Sequence, residues 1–218
     1  MITLPKVISL GFLSVGIFVL MQVILPLVYF QFWSIGQNYN NKVLTSPKTP
    51  QSNILGVSIE KGISVEIKDN FPAFISDNKR ESDPIYSEFS LTIPKINFKE
   101  TLVYVDSNDL SKALAHLPGT ALPGEKGNVF ISGHSAVSRF WEKNAFFAKL
   151  SDLKVGDEIE VEASGSRFTY KIMSIKSINP TDLSVIAPPD EGGRYITLMT
   201  CVPPGLNFKR LIVLGKML

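Results

Sequence analysis

Cys201 is the only cysteine in this chain of 218 residues, and His134 is one of only two histidines. A lone thiol cannot close an intramolecular disulfide. With a histidine brought beside it by the fold, it becomes a candidate nucleophile paired with a general base. Arg210 follows nine residues later and supplies a permanent cation whose planar fork of donors suits an oxyanion or a peptide backbone. Taken singly, each residue has an ordinary reading: a small buried hydrophobe for the cysteine, a solvated strand-end charge for the arginine. Taken together, they describe acyl transfer through a thioester. The thiolate attacks a carbonyl, the imidazole moves the proton of the departing amine, and the guanidinium holds the oxyanion or the substrate backbone. Thr200, beside the cysteine, is a candidate substrate or oxyanion contact. His116, at the entrance of a Pro- and Gly-rich loop, reads as a structural histidine. Two histidines and one cysteine without ligand spacing define no metal site, so neither metal nor cofactor is expected.

Such chemistry needs rigid elements behind it. Cys201 ends a strand-like run, 195–200, with Gly192-Gly193 behind it and Pro203-Pro204-Gly205 ahead. A second run, 210–214, begins at Arg210, so the loop between the two can bring thiol and guanidinium to one rim of a sheet. His134 ends a third apolar run that starts at Asn128. Further strands are predicted at 90–94 and 98–105, and residues 157–162 and 167–172 alternate as a hairpin around Gly165. Asp106 or Ser107 is expected to cap a short helix through Leu110, Ala113 and Leu114. Residues 138–150 carry aromatics at helical spacing that suit packing on a sheet. The longest irregular stretch, 180–193, precedes the cysteine strand. Glu158, Glu160 and Glu162 read as a solvated strand face. Many short strands separated by turns point to a closed β-barrel, which leaves no exposed edges.

Several markers, in order, resemble the sortase family, the cysteine transpeptidases of bacterial cell surfaces. They are Ile93-Pro94-Lys95-Ile96, Pro118-Gly119-Thr120, Gly124-Glu125-Lys126-Gly127-Asn128, Gly133-His134, and Thr197-Leu198-Met199-Thr200-Cys201 followed by Lys209-Arg210-Leu211-Ile212-Val213. The resemblance covers roughly residues 89–218. It implies a mostly β, sortase-like barrel with a few short helices, in which His134, Cys201 and Arg210 are catalytic and the loop before the cysteine strand walls the substrate groove. It further implies cleavage of an LPxTG-like sorting motif on surface proteins, and transfer of the acyl group to an amine from a cell-wall precursor or a pilin lysine. Chain order excludes papain-like and NlpC-type peptidases, which place Cys before His, and the Ser-His-Gly-Cys cluster of L,D-transpeptidases is absent. A membrane-tethered barrel of the same fold that binds without turnover is the alternative from another class.

The rest of the chain concerns location. Net charge is +2, with 22 basic and 20 acidic residues, and no clustered basic face points to nucleic acid. Residues 7–30 hold no charged side chain and are long enough to span a hydrocarbon core of about 30 Å. The run exceeds a signal-peptide core and is followed by Tyr29, Phe30, Phe32 and Trp33, an aromatic belt. Lys6 before the span, with no basic residue after it until Lys42, puts residues 1–6 in the cytoplasm and everything beyond Phe30 outside. The expected organisation is a cytoplasmic N-terminus (1–6), a single transmembrane helix (7–30), an extracytoplasmic stalk or linker (31–87) and a catalytic domain (88–218). Within the stalk, 54–59 and 63–67 alternate like a small hairpin, and Asp83-Pro84 reads as a turn.

Overall fold

The run that ends in Cys201 is a nine-residue strand, Arg194–Val202, and its alternation sets the geometry of the whole barrel. In a computed structural model, which describes residues 11–22, 24–25, 28, 31–32, 62–68, 71–79, 84–135, 145–204 and 208–218, ten strands are present. The hairpin strands β1 (Ile63–Lys68) and β2 (Phe71–Ser76) pair with each other. The remaining eight are β3 (Glu88–Ile93), β4 (Phe98–Tyr104), β5 (Leu114–His116), β6 (Gly127–Ser132), β7 (Glu158–Ala163), β8 (Ser166–Ile178), β9 (Arg194–Val202) and β10 (Lys209–Met217). They close into a barrel in the order β10-β8-β7-β3-β4-β5-β6-β9. The β4–β5 and β6–β9 pairs are parallel and the others antiparallel.

Side chains of a strand alternate between its two faces, and directly paired residues share a face. One set is Leu198 and Ile196 on β9, Leu211 and Val213 on β10, Val129 and Ile131 on β6. With Leu91, Ile93, Val103, Ile159 and Val161 these are wholly buried and fill the barrel interior. The β7–β8 hairpin forms where the alternation predicted it. Its two-residue turn puts Ser164 and Gly165 at φ of 49° and 75°, the doubly positive geometry that matches the twist of paired strands. Glu158, Glu160 and Glu162 stand on the outward face, where Glu162 meets Arg167 at 3.4 Å.

Two expectations are corrected. No helix forms after Asp106: Asp109 N donates to Ser107 Oγ and Ser111 N to Asp109 Oδ1, so short polar side chains capture the backbone donors locally, and Leu114 enters β5 instead. In the stretch read as stalk, strand 63–67 is present, but its partner is β2, and the hairpin packs on the barrel through Ile63 and Phe74. The run 54–59, Asp83 and most of 138–150 lie outside the described residues; Phe147 and Leu150 of the last are buried against the barrel.

The chain divides into two compact units, residues 1–43 and 44–218. In the first, residues 11–22 are helical, with Phe12, Leu13, Phe18 and Leu20 exposed. Among the described residues, no helix is long and apolar enough to cross a membrane.

Candidate active site

Cys201 and Arg210 are direct cross-strand partners in the β9–β10 ladder, so both project from the outer face of the barrel. Met199 and Ile212 form the next pair on that face. On the other side of β9, Ser132 of β6 is in register with Met199. The ladder continues past β6, since Gly133 N donates to Met199 O at 3.1 Å, and two residues after Ser132 comes His134. Backbone register thus sets Cys201 opposite Arg210 on β9 and β10, and brings the segment that carries His134, just past the end of β6, alongside β9. The peptide that carries His134 is held again where Phe147 N donates to the His134 carbonyl at 3.0 Å.

Thr200 has a different place. It pairs with Leu211 on the face opposite Cys201, is buried, and donates its hydroxyl to the Gly133 carbonyl at 2.8 Å. Its side chain ties the cysteine strand to the histidine segment and does not stand in the groove. Gly133 leaves no room for a side chain: a Cβ there would press on Leu114 and come within 2.7 Å of Phe147. A side chain before the histidine would have to displace these two buried neighbours for the segment to lie this close.

Cys201 is half-buried, and that burial pushes its thiol above the ordinary value of 9.0, while the Arg210 guanidinium pulls it back down. Arg210 is almost wholly buried, which lowers its own pKa, and the neighbouring cysteine opposes that shift. One guanidinium nitrogen donates to the Lys209 carbonyl at 3.2 Å, fixing the fork beside the thiol. A buried cation next to a half-buried sulfur suits a site where negative charge appears during reaction.

His116 is fully buried away from this face. Its Nδ1 accepts from Asp106 N at 3.2 Å, and its Nε2 bonds to the Ala121 carbonyl and the Thr120 hydroxyl, both at 2.9 Å. Those contacts assign it the structural role the sequence suggested. Among the described residues, no three His, Cys, Asp or Glu side chains approach closely enough to hold a metal ion.

Sequence reasoning missed the residues that fix the loop 179–193. Asn128 donates to the carbonyls of Val185 and Ile186 and accepts from Thr197 Oγ1 at 2.9 Å. Asp190 accepts from the backbone of Gly192 and Gly193 and from the Tyr195 hydroxyl. That last bond holds the Asp190 carboxyl low and pushes Tyr195 up to about 12. The available signal was a polar Asn inside an apolar strand, which demands a partner.

Comparison with known proteins covers this part of the chain. Sortase D of Bacillus subtilis is 33% identical over 130 residues, 58% of this chain and 61% of that protein. Sortase SrtE1 of Streptomyces coelicolor is 38% identical over 106 residues, 45% of this chain and 29% of its own length. The chain therefore spans less than two thirds of these relatives. A solved structure, "Sortase A from Corynebacterium diphtheriae, lid mutant", superposes with a TM-score of 0.55 at 31% identity, covering 61% of this chain and 70% of that one. Residues 91–218 match the family model described as "Sortase domain", a span that contains every barrel residue named above as a site candidate, and the chain belongs to the sortase family.

Proposed function

We propose that this protein is a cysteine transpeptidase that cleaves an LPxTG-like sorting motif of surface proteins and passes the acyl group to an amine. The observation that carries the reading is the register: Cys201 opposite Arg210 on one outer face, with the segment of His134 bonded to the same strand. Burial keeps the resting thiol protonated at neutral pH, so it needs a base at the moment of attack. His134 takes the thiol proton, the Cys201 sulfur bonds to the scissile carbonyl carbon, and Arg210 donates to the oxyanion. Collapse breaks the carbon–nitrogen bond, and His134 returns the proton to the departing amine. The resulting thioester is attacked by the incoming amine, whose proton passes to His134 as the sulfur leaves. Resolution by an amine conserves the acyl bond energy and needs no nucleotide.

The acceptor is an amine of a cell-wall precursor or a pilin lysine. The apolar run 7–30 anchors the chain by a single span with its N-terminus in the cytoplasm and the barrel outside. This is supported by the exposed apolar side chains of helix 11–22, a surface that water does not favour and lipid does.

The test incubates the chain with a pool of LPxTG-like peptides and a small amine, and mass spectrometry looks for the thioester and the amine-exchanged product. The reading expects both, and loss of both in Cys201→Ala. A thiol that reacts with no peptide, and with a small electrophile no faster than a free cysteine, would replace it by the non-catalytic binding barrel. Sedimentation of residues 1–43 fused to a soluble reporter checks the anchor: the fusion should pellet with membranes and resist extraction by carbonate.

A further inference from the structure

The charges of the barrel are sorted by strand. β8, β9 and β10, neighbours in the closed order, carry Arg167, Lys171, Lys176, Arg194, Lys209, Arg210 and Lys216 and no acidic residue. β7, β3 and β4, the next three, carry Glu88, Glu100, Glu158, Glu160 and Glu162 against one base, Lys99. A net charge of +2 for the whole chain does not account for that separation. Arg210 is buried in the candidate active site, and the other bases of β8, β9 and β10 are exposed.

Where the two arcs meet, the charges are matched: Arg167 lies 3.4 Å from Glu162, and Lys171 stands opposite Glu158 in the β7–β8 ladder. Away from that seam they are not. Lys171 is also directly opposite Lys216 in the β8–β10 ladder, a like-charge pairing that costs the sheet stability. Lys176 is in register with Ile212 and shares its outward face. Lys209 opens β10 and donates to the neutral Asn179 side chain at 2.6 Å. Lys216 sits over the Tyr195 ring at 5.7 Å, and the carboxylate that feels its charge, Asp190, is already bonded to Tyr195, Gly192 and Gly193. Among the described residues, no carboxylate forms an ion pair with Lys171, Lys176, Lys209 or Lys216. One residue before Lys209, at the end of this stripe, Phe208 is 61% exposed. From Lys216 to Lys209 the stripe runs about 24 Å along β10.

Uncompensated lysines in a row, ending in an exposed aromatic ring, suit one kind of surface. Lysines attract anionic headgroups, and a ring among them enters the boundary between headgroups and acyl chains. A soluble polyanion would use the lysines and leave the ring in water. We propose that the β8–β10 stripe docks the barrel on a bilayer that carries anionic headgroups, with Phe208 inserted and the glutamate arc turned to solvent. The proposal rests on the anchor reading above, since a tethered chain meets the bilayer at a high effective concentration. It adds an orientation. Phe208 and Lys209 directly precede Arg210, so docking holds the Cys201–Arg210 end of β9 and β10 near the headgroups and presents it to peptides held at that surface.

The experiment places the full chain in nanodiscs of phosphatidylcholine, alone or with about 30 mol% phosphatidylglycerol, and measures lysine acetylation by a water-soluble reagent with mass spectrometry. Lys171, Lys176, Lys209 and Lys216 are expected to react at least about threefold more slowly in the anionic discs, and Lys99 equally in both. That protection should vanish at about 1 M salt, where screening acts within about 3 Å. The double variant Lys171→Glu/Lys176→Glu lies outside the candidate active site. It should lose the protection of Lys216 and form thioester with soluble peptide at the wild-type rate. Equal labelling in the two discs, or protection that survives salt and charge reversal, would overturn the proposal and leave the transpeptidase reading in place. Equal protection by polyphosphate added to neutral discs would assign the stripe to a soluble polyanion and overturn it too. A chain that does not enter the discs removes the anchor reading; flotation with anionic but not neutral vesicles then upholds the docking, and flotation with neither ends it. Absence of thioester beside the expected footprint removes the transpeptidase reading alone. If the double variant does not fold, the wild-type footprint and its salt dependence decide.

Discussion

Replacing Thr200 by valine removes one hydroxyl and little volume, and it isolates what holds the cysteine strand to the histidine segment. In the structure that hydroxyl donates to the Gly133 carbonyl at 2.8 Å in a fully buried setting, and Gly133 also donates to Met199 of the same strand. Valine leaves a buried carbonyl short of a donor, which costs about 1–3 kcal/mol. For a unit of this size that is a fall of roughly 2–12 °C in the melting temperature. The catalytic effect should exceed what stability alone explains, because His134 follows Gly133 directly and small displacements of a reacting group can cost about 100-fold in rate. We expect kcat for thioester formation to fall at least about tenfold while KM stays within about twofold, since the side chain faces away from the groove. Thr200→Ser, which keeps the hydroxyl, should recover most of the rate. Differential scanning calorimetry and single-turnover thioester formation measure the two parts. A valine variant that melts with wild type and reacts at the wild-type rate would refute the tether, and one that raised KM alone would return Thr200 to the role of a substrate contact.

Further outcomes follow from neighbouring contacts. Gly133→Ala forces a Cβ against Leu114 and Phe147, both fully buried, and should cost about 1–3 kcal/mol by overpacking, read as a lower denaturant midpoint, with a lower rate. Arg210→Met withdraws the one influence that pulls the Cys201 thiol down against burial, so the pH profile of alkylation by iodoacetamide should move to higher pH; a profile that stays in place or moves lower would contradict that coupling. Because the folded-state thiol lies above its ordinary value of 9.0, its contribution to stability is complete below that pH and is lost as pH rises through the folded-state value; Cys201→Ala should flatten that alkaline decline in urea midpoints. Asp190→Asn weakens the acceptor shared by Tyr195, Gly192 and Gly193, so the Tyr195 phenol should ionise below its present value of about 12 in ultraviolet titration, and amides of 186–193 should exchange faster.

The sequence revealed the barrel because period-two alternation survives wherever one face of a strand is buried: Leu198, Leu211 and Ile159 mark the interior as plainly in the chain as in the fold. The reactive groups were legible for another reason, since one cysteine and two histidines leave few combinations to weigh. The same alternation also held the answer for Thr200, because a residue next to Cys201 on a strand must face the other way. What could not be read were contacts between segments distant in sequence that each look ordinary alone. Asn108 and Ser76 are typical loop and turn residues, and only the folded chain brings them together as a clasp 32 residues apart. Phe74 falls within residues 31–87, which read as a linker, yet its ring lies tilted 5.9 Å from that of Phe130 of a barrel strand. Asp106 and Ser107 match a helix-start pattern with Leu110, Ala113 and Leu114 behind it, and the competing local bonds win because Leu114 is buried in β5 instead of on a helix face. The chemistry of this chain is thus written locally in its strands. Contacts between unremarkable residues distant in the chain are legible only once the fold brings them together, as Asn108 meets Ser76.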